Sequence, residues 1–284
     1  MADSKIEWTE KTWNPVTGCS PVSEGCAHCY AKRMVYRIVA MEKGRLAKNP
    51  NTKLSGYPHD DPFRVTFHPD RLDEPLHWKK PRRVFVCSMG DLFHEDVTVP
   101  QICDVWNRIA RCSQHTFMIL TKRPQNIWLH EAFKLGYLVP LPNVWLGVSV
   151  ENQRTADERI PILLQIPAAV RFVSVEPMLE WINIEDHLMQ CSDCGNKGSV
   201  AYVGNVPGSG NDLCHSVCIK GGEGPALDLV ICGGESGPGR RPFEFDWARD
   251  LRDQCKAADV PFFFKQTDKV RPIPDDLMIR EWPR

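Results

Sequence analysis

The sequence predicts an α/β chain: a full or partial (β/α) barrel with parallel strands and a small cysteine-rich metal-binding insertion. Three observations predict it. Six apolar runs of strand length recur along the chain, each closed by polar or glycine residues. Continuous apolar runs of this kind fit strands buried on both faces. Most intervals between them carry apolar residues at helical spacing, and alternating strand and helix means βαβ units. Polar residues repeatedly follow the strands, on the face where β/α barrels and open parallel sheets build their sites.

The elements follow in order. A first strand is expected between Ile6 and Val16, just ahead of a loop with three cysteines, and Tyr30 to Val39 reads as a helix. The six runs are Val84 to Cys87, Phe117 to Leu120, Val144 to Val148, Val170 to Val173, Leu229 to Cys232 and Pro261 to Phe264. Pro100 to Cys112 carries Ile102, Val105, Trp106 and Ile109 at helical spacing, and Thr155 to Leu164 and Phe245 to Ala258 read similarly. Asp246 is expected to cap the last of these, with Trp247, Leu251 and Cys255 on one face. Two stretches fall outside the repeat. Residues 43–81 are rich in Pro, Lys, Arg and His, with one short strand expected at Phe63 to Phe67; residues 190–225 are rich in Gly, Asn and Cys. Both read as insertions in a single domain spanning residues 1–284.

Apolar residues make up 42% and charged residues 25% of the 284, an ordinary globular composition. No apolar run reaches the roughly 18 residues that span a membrane, and Met1-Ala2-Asp3-Ser4-Lys5 lacks the apolar core of a signal peptide. The expectation is a soluble cytoplasmic protein with no membrane partner. A net charge of −1 excludes a globally basic nucleic-acid coat but not a local basic groove. Twelve cysteines without an export signal argue for metal ligands or catalytic groups rather than disulfides.

Three of those cysteines lie in Thr17-Gly18-Cys19-Ser20-Pro21-Val22-Ser23-Glu24-Gly25-Cys26-Ala27-His28-Cys29-Tyr30. Gly18, Pro21 and Gly25 make the segment a loop between the first strand and the first helix. Three thiolates with no fourth ligand beside them suit an iron–sulfur cluster with one open iron, since four cysteines would close it. The alternative is a zinc site with His28 or a distant residue as fourth ligand. Ligand count and softness favour the cluster.

At these residues the chain resembles the radical S-adenosylmethionine (SAM) superfamily, which places three cysteines in the loop after the first strand of a partial (β/α) barrel. Its usual spacing is three residues and then two; here the first gap is six. Trp13-Asn14-Pro15-Val16-Thr17-Gly18-Cys19 is similar to the start of a narrower phage-associated family of unknown function, often grouped near the radical SAM enzymes and spore photoproduct lyase. The resemblance runs through Gly233-Gly234-Glu235-Ser236-Gly237. It implies a [4Fe–4S] cluster on Cys19, Cys26 and Cys29, SAM on the open iron, a reductant such as flavodoxin or ferredoxin, and hydrogen abstraction from a substrate by a 5′-deoxyadenosyl radical. By analogy the substrate is a nucleobase in DNA or RNA. It further implies that Ser88, Gly90 and Asp91, after the second strand, receive the SAM amino group, and that His28 or Tyr30 lies near the adenine.

The residues add other candidates. Ser149 and Glu151 end one strand and Ser174 and Glu176 another, within the repeated tetrapeptide Val-Ser-Val-Glu; they suit ribose hydroxyls or substrate, or are inward-facing structural positions. Lys122 and Arg123 can bind the SAM carboxylate or a phosphate. Cys87 and Cys232 each end a strand and are either hydrogen donors to a substrate radical or core residues. Cys191-x2-Cys194 and Cys214-x3-Cys218 nearly match a zinc ribbon, for a structural zinc or a second cluster. Lys79-Lys80-Pro81-Arg82-Arg83, beside Trp78, is either a nucleic-acid contact or a solvated surface. The alternative function is a non-enzymatic zinc-containing protein that binds nucleic acid or a protein partner.

Overall fold

The computed structural model describes residue 4 and residues 6–129, 139–188 and 226–283. All seven expected strands are present and run parallel, in a sheet whose order follows the chain. The chain forms two compact units, Met1–Trp145 and Leu146–Arg284.

In the first unit, β1 (Lys11–Trp13) is followed by β2 (Val16–Thr17), which pairs antiparallel with β3 (Thr66–Phe67). β4 (Arg83–Val86) and β5 (Thr116–Thr121) extend the parallel ladder, with Trp13 opposite Val86 and Val86 opposite Ile119. Trp13, Val84, Val86, Phe117 and Ile119 are all at 0% exposure, which explains why these strands read as unbroken apolar runs. Among the described residues this unit carries the helices α1 (Tyr30–Leu46), α2 (Val99–Ala110) and α3 (Pro124–Leu129). Ile102, Val105, Trp106 and Ile109 form the buried face of α2, as their spacing requires.

The second unit begins along β6 (Val144–Val150) and continues through α4 (Gln153–Leu164), β7 (Val170–Val175), the short α5 (Glu185–Leu188), β8 (Leu229–Gly233), α6 (Phe245–Ala257) and β9 (Phe262–Gln266). Phe172 faces Leu229, and Val230 faces Phe262, with a register shift at Cys232/Gly233. Gly147 is required by close packing: a Cβ there would lie 2.5 Å from the Phe172 ring. Asn152 caps α4, its side chain accepting from the Thr155 N–H at 2.9 Å.

One expectation needs correction. Asp246 does not cap α6; Glu244 holds that position, and Asp246 sits in the first turn, paired with Arg249 at 2.9 Å. The basic insertion is built into the first unit. Its first residues complete α1, Trp13 Nε1 donates to Arg71 O at 2.8 Å, and Ser55 N and His59 Nε2 bond the buried Glu42 carboxylate at 2.5 and 3.1 Å.

Candidate functional site

The cysteine loop leaves β2 and enters α1. Gly18 adopts φ +85° and forms an isolated parallel bridge with Gly90. Its N–H donates to Met89 O at 2.9 Å, while Cys19 N donates to Phe63 O at 3.2 Å. The loop is thus clamped between the turn after β4 and the basic insertion. Both glycines are needed for the close approach: a Cβ on Gly18 would lie 2.2 Å from Arg64 O, and one on Gly90 2.8 Å from Gly18 O. Asn14 ties the same turn down, accepting from Ser88 Oγ at 3.1 Å and Met89 N at 2.9 Å. The Tyr30 hydroxyl donates to Ser88 O.

Cys19, Cys26 and Cys29 are free thiols of intermediate exposure. Cys29 precedes α1 at its N-terminus, and Cys19 and Cys29 both pack against an apolar cluster of Ala31, Val35, Val39, Phe63 and Met89. Burial pushes the Cys19 thiol up to about 12, with Asp91 adding to the effect and the Arg123 guanidinium opposing it. Burial also acts to raise Cys26, but Lys122 and the N–H groups of Val22 and Ser23 outweigh it and hold that thiol below its ordinary value. Lys122 Nζ lies 3.5 Å from Ser23 Oγ, itself 3.8 Å from Cys26 Sγ.

Asp91 is a clamp on the neighbouring turns. Oδ1 accepts from Phe93 N at 3.0 Å and Thr121 Oγ1 at 2.8 Å, and Oδ2 accepts from Lys122 N at 3.2 Å. Arg123, only 2% exposed, lies on the same side; its Nη1 donates to Cys19 Sγ at 3.5 Å. The structure therefore brings Cys19, Cys26, Cys29, Tyr30, Ser88, Gly90, Asp91 and Lys122 into one neighbourhood, together with Asn14, Ser20, His94 and Thr121. These last four escaped the sequence reading because each acts through partners far along the chain. The signal available for them was position alone, directly after a strand or inside the cysteine loop. His28, of intermediate exposure, is on the loop as well.

Cys87 closes β4 with φ 57°, 2% exposed, and burial pushes its thiol up to about 12. In the second unit, Cys232 is fully buried beside Met178 Sδ at 3.8 Å, and burial raises its thiol well above the ordinary value, with Glu176 adding to the effect. The two Val-Ser-Val-Glu copies end differently. Glu151 is at 0% exposure, 3.0 Å from Arg159 Nη1, which also donates to Ser149 O at 2.7 Å. Glu176 accepts from Ser174 Oγ at 3.0 Å and pairs with Lys265 at 2.9 Å.

A family model described as a protein of unknown function, DUF5131, matches residues 3–275. The chain belongs to the DUF5131 family. Among solved structures, the DUF5131 chain is similar to a cysteine-to-serine mutant of spore photoproduct lyase, at 11% identity and a TM-score of 0.44, over 94% of this chain and 79% of that one. No curated protein matches it.

The donor set of the DUF5131 chain can be weighed against the two metals considered. Among the described residues, no group of three or more His, Cys, Asp or Glu side chains is arranged to hold a metal ion. A cubane cluster is ligated at separate corners, so its thiolates need not meet at one point. The loop supplies three free thiols, with Lys122 acting on Cys26 and Arg123 donating to Cys19. Cys191, Cys194, Cys214 and Cys218 lie outside the described residues. In the basic segment, Lys79 and Lys80 are exposed, Arg82 pairs with Glu10 at 3.2 Å, and Trp78 packs 5.6 Å from the ring of His115, itself 1% exposed. Among the described residues no helix is long and apolar enough to cross a membrane.

Proposed function

We propose that this chain is a radical-SAM-type iron–sulfur enzyme on a partial (β/α) barrel. The observation that carries the reading is the arrangement of Cys19, Cys26 and Cys29: free, half-buried, on one loop after the first strand, with two cations against the sulfurs. These three residues would hold a [4Fe–4S] cluster, which with SAM on its open iron supplies a one-electron cleavage to a 5′-deoxyadenosyl radical.

The chain's own residues have distinct tasks. Lys122 favours the Cys26 thiolate, and Arg123 opposes the burial that keeps Cys19 protonated; ligands must lose their protons before metal binds. The Gly18–Gly90 bridge and Asn14 fix the loop against the turn that follows β4. Asp91 orders that turn through its hold on Phe93, Thr121 and Lys122; a role for Ser88, Gly90 and Asp91 toward the SAM amino group rests on the sequence resemblance. A role for Ser174 and Glu176 toward substrate, and for Cys87 and Cys232 as hydrogen donors, rests on their positions at strand ends in the sequence. A nucleobase substrate, a flavodoxin- or ferredoxin-type donor and a zinc on the second cysteine group rest on the sequence resemblance and cysteine spacing.

The test is anaerobic reconstitution of the full chain with iron and sulfide, followed by dithionite and SAM. Wild-type protein should gain three or four irons at the triplet and release 5′-deoxyadenosine. Cys26→Ala should lose that iron. Iron uptake indifferent to Cys26→Ala, or a loaded protein that releases no 5′-deoxyadenosine, overturns the reading.

A further inference from the structure

Arg123 was open in the sequence to binding a carboxylate or a phosphate. Its surroundings leave it a different task. A guanidinium carries five N–H donors in a fixed fork. Here Nε donates to Glu95 Oε2 at 2.9 Å, and Nη2 donates to Ser20 O at 3.0 Å and Ser20 Oγ at 2.7 Å. Nη1 donates to Cys19 Sγ at 3.5 Å and stands 4.0 Å from Asp91 Oδ2. Four of the five donors are committed to Glu95, Ser20 and Cys19, and the fifth faces a buried carboxylate. None is turned outward for a ligand.

The acceptor that orients this fork is itself fixed. Asp96 N donates to His94 Nδ1 at 3.1 Å, so Nδ1 is the bare nitrogen and Nε2 carries the hydrogen in the neutral ring. Nε2 then donates to Ser20 Oγ at 2.8 Å. His94 is 3% exposed, so Ser20 is held from a buried ring while it accepts from Arg123. The result is a buried cation, braced on three sides, with one N–H aimed at a ligand sulfur.

We propose that Arg123 is a positioning residue that raises the reduction potential of the cluster on Cys19, Cys26 and Cys29 through its N–H on the Cys19 sulfur. The proposal rests on the iron–sulfur reading above. Reduction adds one electron to a group already ligated by three thiolates. Hydrogen bonds to sulfur and net nearby charge set where that electron is accepted. The guanidinium is buried and unscreened, whereas its partner Glu95 is 60% exposed and screened by water. Asp91, also buried, opposes it at the Cys19 sulfur, so removing Arg123 leaves that carboxylate uncompensated, and the reduced state loses more from the removal than the oxidised state.

The experiment reconstitutes wild type, Arg123→Gln and Arg123→Lys anaerobically with iron and sulfide. Iron and acid-labile sulfide are counted, and the midpoint potential is read from the EPR signal during dithionite titration with redox mediators. Arg123→Gln should make reduction at least tenfold less favourable, about 59 mV lower for a one-electron couple. Arg123→Lys keeps the charge without the fork and should move the same way by a smaller factor, and it decides the matter if Arg123→Gln does not fold. Apo-protein melting is measured alongside, because a merely structural tie lowers the melting temperature and leaves the potential unchanged. Loaded variants with potentials within twofold of wild type overturn the role of Arg123 and leave the cluster reading intact. A wild type that takes up no cluster removes both.

Discussion

Replacing Gly18 with alanine tests how the cysteine loop is seated. The new Cβ would lie 2.2 Å from Arg64 O, 2.5 Å from Arg64 C and 2.7 Å from Phe63 O, all backbone atoms that no rotamer change can move aside. The φ of +85° adds a left-handed penalty of roughly 1–2 kcal/mol. Forcing atoms into a filled space adds about 1–3 kcal/mol, and the stiffer unfolded chain returns up to ~1 kcal/mol. The net cost is about 3 kcal/mol, or a fall of roughly 6–12 °C in melting temperature for a chain of this size. Gly44 is the control, since it lies inside α1 with nothing within 4 Å of its Cβ position. Gly44→Ala should stabilise by about 0.5–1 kcal/mol through helix propensity. Melting followed by circular dichroism compares the two, and alkylation of Cys19 in the folded state reports whether the loop has lifted. A Gly18→Ala protein that melts within about 2 °C of wild type and keeps Cys19 as slow to alkylate would refute the seating argument.

Three further outcomes follow from the same geometry. Arg159→Met removes the cation 3.0 Å from the fully buried Glu151 carboxylate and should cost about 3–5 kcal/mol in urea unfolding, largely recovered by adding Glu151→Gln; an unchanged midpoint in the single variant would mean that the pair does not hold Glu151. Asn152→Ala removes the α4 cap and should cost about 1 kcal/mol, while Asn152→Asp stays close to wild type; equal stability of all three proteins counts against the cap. Burial, aided by Arg71, lowers the His68 pKa to about 4 from an ordinary 6.5, so the unfolded chain binds more protons between these values. The stability His68 contributes is present above pH 6.5 and lost as pH falls through about 4, at most about 3 kcal/mol. Urea midpoints across this range should fall less steeply in His68→Gln, and parallel slopes would remove His68 from the acid limb.

The strands were legible because burial on both faces leaves a simple trace, an unbroken apolar run closed by polar residues. Helix ends were less so. Asp246 has the chemistry of a cap, yet Phe245 already lies in the helix and Arg249 takes the Asp246 carboxylate. Spacing finds the buried face of a helix but not the residue that starts it, since the start depends on how the incoming chain approaches. Composition marked residues 43–81 as outside the strand–helix repeat but not what they bond to: His59 reaches Glu42 in α1, Arg71 reaches Asn14 O, and Phe63 O accepts from Cys19 N. The twin Val-Ser-Val-Glu segments show the same limit. Identical tetrapeptides acquire different roles because Arg159 comes from the following helix in one case and Lys265 from a distant strand in the other.

The cysteine loop divides along the same line. Its ligands are local, three thiols within eleven residues, and any reader of the sequence sees them. Its electrostatics are not local. Lys122 and Arg123 arrive from the end of β5, about a hundred residues later, and Asp91, Glu95 and His94 from the turn after β4. Burial pushes the Cys19 thiol up to about 12 even with Arg123 beside it, as it does Cys87, while Lys122 helps to hold Cys26 below its ordinary value. The opposite treatment of Cys19 and Cys26 is therefore a property of the folded unit and not of the motif. A peptide spanning only Thr17 to Tyr30 has the spacing but none of the bonds that seat the loop against Phe63, Met89 and Gly90, so it should hold iron and sulfide more weakly than the full chain does. Equal retention by the peptide would show that the loop needs nothing from the fold around it.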